Sequence, residues 1–244
     1  MKAHPLSRID ALPDFTAALA RHGLNVVGTT SVAAYDASVP HDVRLARHIP
    51  AARGLLVIGN GGGAFWRAFE AFCRAHPDHA ASADPIDGFT RHVVDAAVVA
   101  AGLDGPVLYP FDEAPTPASF MHLAECAGLG RRSLLGVLVH PVYGPWLALR
   151  AAIVVAAPGP SGPPPAPALA CDRCAELCTP ALAHAQAAAA TVTAGDPVAE
   201  HWRLWLAVRD ACPLGREHRY PDALVRYVYT KDRAVLRAAL RAPG

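Results

Sequence analysis

Two sets of residues in this 244-residue chain have types and spacings that could do chemistry. The denser is CDRCAELCTP, which sets Cys171, Cys174 and Cys178 within two helical turns, with Cys212-Pro213 further on. Thiolates held close together bind soft or borderline metals, and four of them suit zinc or an iron–sulfur cluster. Three at this spacing converge on a helix without special folding, and the fourth must come from elsewhere. The metal reading is therefore Cys171, Cys174, Cys178 and Cys212 around one 4Fe–4S cluster or zinc ion. The bland reading is helix cysteines that hold no metal. The second set surrounds HPVYGPW, a turn polar enough to line a mouth, which carries His140, Tyr143 and Trp146. It leads into WLALRAAIVV, where Arg150 is the one charge in an apolar run. A buried, unpaired guanidinium is costly, so Arg150 faces solvent or meets an anion.

The elements that must position these residues follow from periodicity. Phe120, Leu123, Ala124 and Ala127 recur at three-and-four spacing and predict a helix over 118–127, ended by Gly128. His122 and Glu125 lie one turn apart on it. Short apolar runs predict strands over 134–139 and 146–155. Upstream, the pattern gives a helix ending at Gly23, a strand over 24–27, a loop over 29–43 and a buried strand over 54–59. The turn GNGGG follows. Free amides at such a turn can bind phosphate, but it is neither GxGxxG nor a P-loop, and it reads as a flexible link. Helices over 64–75 and 85–101 come next, the second with Asp84 as cap and Pro85 at its start, then a strand over 106–109. Strands and helices in this order argue for an α+β layered domain. PGPSGPPPAP marks a semi-rigid linker over 158–168, which divides a domain of residues 1–157 from a helical segment of residues 169–244.

Composition narrows the classes. A formal net charge of +1 and no basic run argue against a nucleic-acid or acidic-membrane partner. Fifty-two per cent hydrophobic residues suffice for a sizeable core. The N-terminus lacks the apolar stretch of a signal peptide, and the apolar runs fall short of the roughly 20 residues of a membrane span. A soluble cytoplasmic protein is expected. Disulfides are then a poor default for its six cysteines, and Cys73 and Cys126 read as core. The 12 histidines are scattered, and no hydrolase elbow, HExxH or paired-carboxylate pattern stands out.

The stretch GVLVHPVYGPWLALRAAIVV resembles the matching part of the cytosolic cobalamin-processing proteins of the methylmalonic aciduria type C family, which decyanate and dealkylate cobalamin. VAAYDASVP, GLLVIGN, AFWRAFEAF, DPIDGFTRHVVDA, HWRLWLAVRDA and TKDRAVLRAAL fall in that family's order. LAECAGLG followed by YGPW is similar to the cobalamin domain of epoxyqueuosine reductases. The resemblance implies a nitroreductase or flavin-reductase-like α+β fold with a small helical C-terminal cap, cobalamin as ligand, and pairing as a homodimer. It implies a corrin resting on an edge strand at Gly136, Val137 and Leu138, with His140, Tyr143 and Trp146 at its rim. Arg150, Arg209 and Arg233 stand where the family has three arginines that hold glutathione, its thiol co-substrate. Where the family has a histidine, this chain has Glu125, with His122 one turn earlier. The cysteines keep only the last three positions of the reductases' cluster run, with an extra residue before the proline. The expected activity is removal of cobalamin's upper axial ligand. The alternatives are a cobalamin-dependent reductase fed by one iron–sulfur cluster, a non-catalytic cobalamin carrier and, less favoured, a flavin reductase.

Overall fold

The computed structural model describes residues 12–103, 105–112, 118–134, 136–160 and 171–242. A four-stranded antiparallel sheet lies at its centre, in the order β1 (Val26–Ser31), β2 (Gly54–Gly61), β6 (Leu147–Val155) and β3 (Val107–Leu108). Every residue of β2 is buried, as expected for an apolar run covered on both faces. Leu56 and Ile58 point into one core, and Leu55 and Val57 into the other.

The first core is closed by α1 (Leu12–Arg21), α4 (Ala64–Ala75), α6 (Pro85–Ala101), α11 (Asp222–Thr230) and α12 (Arg233–Arg241). Phe65, Phe69 and Phe89 are fully buried there, the Phe89 ring centroid 5.4 Å from that of Phe65 and 5.8 Å from that of Phe69. Each contributes about 1.5–3 kcal/mol by leaving water. The second core is closed by α2 (Val32–Ser38), α3 (Leu45–His48) and α7 (Phe120–Cys126), with Tyr35 and Leu123 at its centre. The architecture is mixed helix and strand around a small antiparallel sheet.

Three expectations change. The segment read as a loop over 29–43 completes β1 and then forms α2, because the Ser31 hydroxyl accepts the Ala34 N–H and caps a new helix. The strand expected over 134–139 shrinks to β5 (Leu138–Val139), which pairs only with β4 (Arg131–Arg132) in a two-stranded ribbon away from the main sheet. The C-terminal helices are not a free-standing cap. Tyr220, Leu224, Val225, Tyr227, Val235 and Leu236 complete the first core, so the described residues before the linker and the C-terminal helices share one interior. Most of the proline-rich linker, residues 161–168, lies outside the described residues; Gly159, near its start, packs on the backbone of Thr30.

Among the described residues, no helix is long and apolar enough to cross a membrane.

Candidate functional site

The register of β6 decides where Arg150 points. Ile58 pairs with Ala151 and Gly59 with Leu149, so Arg150 is an extra residue in a β-bulge. Leu147 and Leu149 therefore face the second core, as do Ala152 and Val154, whereas Ala151 and Ile153 face the first. The phase flips at Arg150 and turns its side chain toward the first core. The guanidinium lies 4.4 Å from the Phe65 ring centroid, and its Nε donates to Asn60 Oδ1 at 2.6 Å. Neither Nη group has a protein acceptor among the described residues. Burial lowers the Arg150 pKa, which Tyr220 and then Asp87 oppose.

Arg209 approaches the same place from α10 (Trp202–Ala211). Its Nη2 donates to Pro145 O, and its Nε is buried with no partner. Tyr220 lies between the two arginines. Burial raises its pKa, and the Arg209 and Arg150 charges oppose that rise. The Tyr220 hydroxyl meets Asn60 O and Asn60 Nδ2, both at 3.4 Å. Trp146 stands edge-on to Tyr220 at 5.6 Å and is 1% exposed, so it forms the floor of this place and not a rim. The Arg209 guanidinium covers it at 4.9 Å. Arg219, which also faces Trp146, is held by Asp210 and Asp222.

Arg233 does not join the other two. Its guanidinium donates to the carbonyls of Ala80, Ser82 and Ala83 at the end of α5 (Pro77–Ala81). These are orphan acceptors of a helix terminus, and a cation suits them.

The mouth lies at the end of the sheet. Asn25 donates to Gly61 O at 3.1 Å and to the Tyr143 hydroxyl at 3.0 Å, and accepts the Gly61 N–H at 2.8 Å. A Cβ on Gly61 would sit 2.3 Å from the Tyr143 ring, so only glycine fits this close approach. Tyr143 contacts His140 at 5.0 Å and His218 at 4.7 Å, ring to ring. The Gly62 turn faces His218, so the glycine-rich link borders this mouth. His140 Nδ1 accepts the N–H groups of Val142 at 3.0 Å and Tyr143 at 3.2 Å. An imidazole that accepts at Nδ1 carries its proton on Nε2, so His140 presents a donor and no metal-ligating lone pair. Burial first, and His218 second, lower its pKa and keep the ring neutral.

The other expected corrin contacts sit on the second-core side of the sheet. Glu125 accepts the Arg132 N–H at 2.8 Å and pairs with its guanidinium at 3.2 Å. His122 Nδ1 meets Ser119 Oγ at 2.7 Å and Arg132 Nη2 at 3.4 Å. Both side chains thus tie α7 to β4. Gly136 is a turn residue at φ 74°, the Val137 carbonyl accepts from Ser133 at 3.0 Å, and Leu138 and Val139 are buried. That segment is a hairpin and not an edge of the main sheet.

Cys174–Cys178 form one π-turn that packs on α10, and Cys212 ends α10. The four thiols are neighbours. Cys178 and Cys212 are both buried, and Cys171 and Cys174 are partly exposed. Burial, with the other three cysteines near, pushes the Cys178 thiol up to about 11. Among the described residues, no three His, Cys, Asp or Glu side chains close around a point that would hold a metal ion. The donor types suit a cluster; their arrangement does not fit one.

Sequence reading alone missed Asn60, Tyr220, Asn25 and His218. Asn60 had a signal, a lone amide at the end of a wholly apolar strand. His201 and Trp205 were also missed: their Nε2 and Nε1 are buried without partners among the described residues, two turns and one turn before Arg209.

No protein-family model matches the sequence, and no curated protein matches it. Solved structures do. The B12-trafficking protein CblC of C. elegans, a human MMACHC homologue, is similar with a TM-score of 0.67 and 14% identity, over 97% of this chain and 99% of that one. This chain shares the CblC fold. Epoxyqueuosine reductases are similar as well. The Bacillus subtilis enzyme has a TM-score of 0.51 at 14% identity, over 88% of this chain and 67% of that one. The Streptococcus thermophilus enzyme has 0.54 at 10%, over 95% and 80%. CblC and this chain therefore match nearly end to end, helical C-terminus included.

Proposed function

We propose that this chain is a cytoplasmic cobalamin-processing enzyme that removes the corrin's upper axial ligand, on a scaffold of the nitroreductase and flavin-reductase-like kind. The observation that carries this reading is the pair Arg150 and Arg209 about Tyr220, next to a mouth of His140, Tyr143 and His218. Two guanidinium groups in an aromatic, poorly hydrated place suit the carboxylates of a small thiol such as glutathione. Similarity to the B12-trafficking protein CblC supports cobalamin as the other substrate.

Cobalamin supplies the cobalt chemistry, and the chain supplies geometry. In dealkylation the thiolate sulfur bonds to the alkyl carbon, the carbon–cobalt bond breaks, and its electron pair stays on cobalt. Arg150 and Arg209 orient the thiol by its carboxylates and favour the thiolate by their charge. Tyr220 spaces the two guanidinium groups, and Trp146 keeps water from the floor. In decyanation two thiolates give one electron each and join as a disulfide, while two cobalamins pass from Co(III) to Co(II) and each releases cyanide. His140, whose Nδ1 accepts the Val142 and Tyr143 N–H groups, would donate from Nε2 to the corrin's edge.

The test is turnover of methylcobalamin and cyanocobalamin with glutathione, alongside the corrin spectrum. Arg209→Ala should keep the corrin spectral shift and lose ligand removal. Retained turnover in that variant would contradict the arginine site. A corrin shift with no turnover under any thiol or reductant would favour a carrier.

A further inference from the structure

The two arginines of the candidate site have only neutral partners. Arg150 donates from Nε to Asn60 Oδ1 at 2.6 Å and lies over the Phe65 ring. Arg209 donates to Pro145 O and lies over the rings of Trp146 and Tyr220. Among the described residues, no carboxylate forms an ion pair with either. Arg219, the third guanidinium over Trp146, is treated differently: Asp210 at 2.8 Å and Asp222 at 2.7 Å neutralise it. Asp87 bears on the Arg150 charge from beyond ion-pair distance.

Asn60 is the position that decides this. It is 0% exposed, and its Oδ1 must face the Arg150 N–H, since the flipped amide would set donor against donor. Aspartate has nearly the same shape and could accept the same hydrogen bond. It would also compensate the guanidinium from inside the protein, as buried cations usually require. The amide instead fixes the direction of Arg150 through Nε and leaves its charge free. Both arginines are partly exposed, so an anion can reach them.

We propose that Asn60 sets the ligand class of this site. By holding Arg150 with an amide in place of a carboxylate, it keeps two guanidinium charges uncompensated beside Tyr220 and so selects an anion, the carboxylates of the thiol co-substrate. Asn60 touches Arg150 and not the ligand, so it is a positioning residue. The inference rests on the reading of Arg150 and Arg209 as the thiol's anchor and adds the residue that keeps them available. A purely structural Asn60 would tolerate aspartate and suffer from leucine. A charge-setting Asn60 gives the reverse order in anion binding.

The experiment titrates the full-length chain, free of corrin, by isothermal calorimetry at fixed ionic strength. The probes are sodium sulfate and, separately, S-methylglutathione, which carries the carboxylates but no free thiol. Wild type is expected to bind both. Asn60→Asp should weaken both by roughly tenfold or more, because a carboxylate this close opposes the incoming anion. Its melting temperature should stay at or above that of wild type. Asn60→Leu should weaken binding less, though it lowers the melting temperature. In turnover, Asn60→Asp should raise KM for glutathione and leave kcat at saturation unchanged. Wild-type affinity in Asn60→Asp would overturn the proposal. So would a greater loss in Asn60→Leu, an Asn60→Asp chain that does not fold, or no binding of either anion by wild type. Sulfate binding alone, weakened in Asn60→Asp, would uphold the proposal and remove glutathione as co-substrate.

Discussion

Arg150 Nε sits 2.6 Å from Asn60 Oδ1, and this contact joins a β-bulge on one strand to the only buried amide on its neighbour. Without the bulge Arg150 would take its place in the regular alternation of β6. With it, the guanidinium lies over Phe65 with both Nη groups uncommitted. Asn60→Leu keeps the branched shape, with a larger volume, and removes the acceptor. The expected loss is on the order of 1–3 kcal/mol, read from chemical denaturation, because a buried charged donor is left unmet. Arg150→Met in the same background should recover part of it. An unchanged midpoint in Asn60→Leu would show that the contact does not hold the bulge.

The three arginines should separate by assay. Arg150→Ala and Arg209→Ala each remove a charge-assisted contact to the thiol's carboxylates, worth about 2 kcal/mol or roughly thirtyfold in the KM for glutathione. Arg233→Ala removes the cation at the end of α5 and should lower the melting temperature with little change in that KM. A KM effect of Arg233→Ala as large as the others would return it to the thiol site.

His140 makes the mouth acid-sensitive. Burial and His218 lower its pKa from 6.5, and burial lowers that of His22 as well. A histidine whose folded pKa is depressed binds fewer protons folded than unfolded. Its stabilising effect is present above about 6.5 and is lost as pH falls below that value. Thermal stability should therefore drop between pH 7.5 and pH 5.5. His140→Asn, whose Oδ1 can still accept the Val142 and Tyr143 N–H groups, should flatten part of that drop. An identical slope in the variant would remove His140 from the cause.

Gly61 and Tyr143 are interdependent. Gly61→Ala puts a Cβ 2.3 Å from the Tyr143 ring, so the ring must leave Asn25 or the strand end must move. Overpacking of this kind costs roughly 1–3 kcal/mol. A corresponding fall in melting temperature, with weaker corrin binding, is the expected outcome; wild-type values for both would show that the mouth is loose.

Much of the scaffold could be read from the chain. The helices over 64–75 and 85–101 and the apolar strand ending in GNGGG have bounds set by glycine, proline and periodicity, all local signals. The short α2 was hidden because its seven residues give no periodicity, and its start depends on one serine hydroxyl. Arg150 could be singled out as a lone charge, but its direction depends on a bulge that only pairing with β2 creates. Trp146 read as a rim residue through the family resemblance alone, and the aromatic neighbour that helps to bury it is Tyr220, far along the chain. The cysteine spacing suggested a cage; the π-turn, which no spacing rule foresees, buries Cys178 against α10 instead.

The most direct test of the account is a visible-absorbance titration of hydroxocobalamin and cyanocobalamin with the purified chain. The account expects a saturable shift to the spectrum of cobalamin whose lower base has left cobalt, at about one corrin per chain, followed by loss of the cyano spectrum when glutathione is added. A corrin spectrum that stays unchanged at every protein concentration would contradict it.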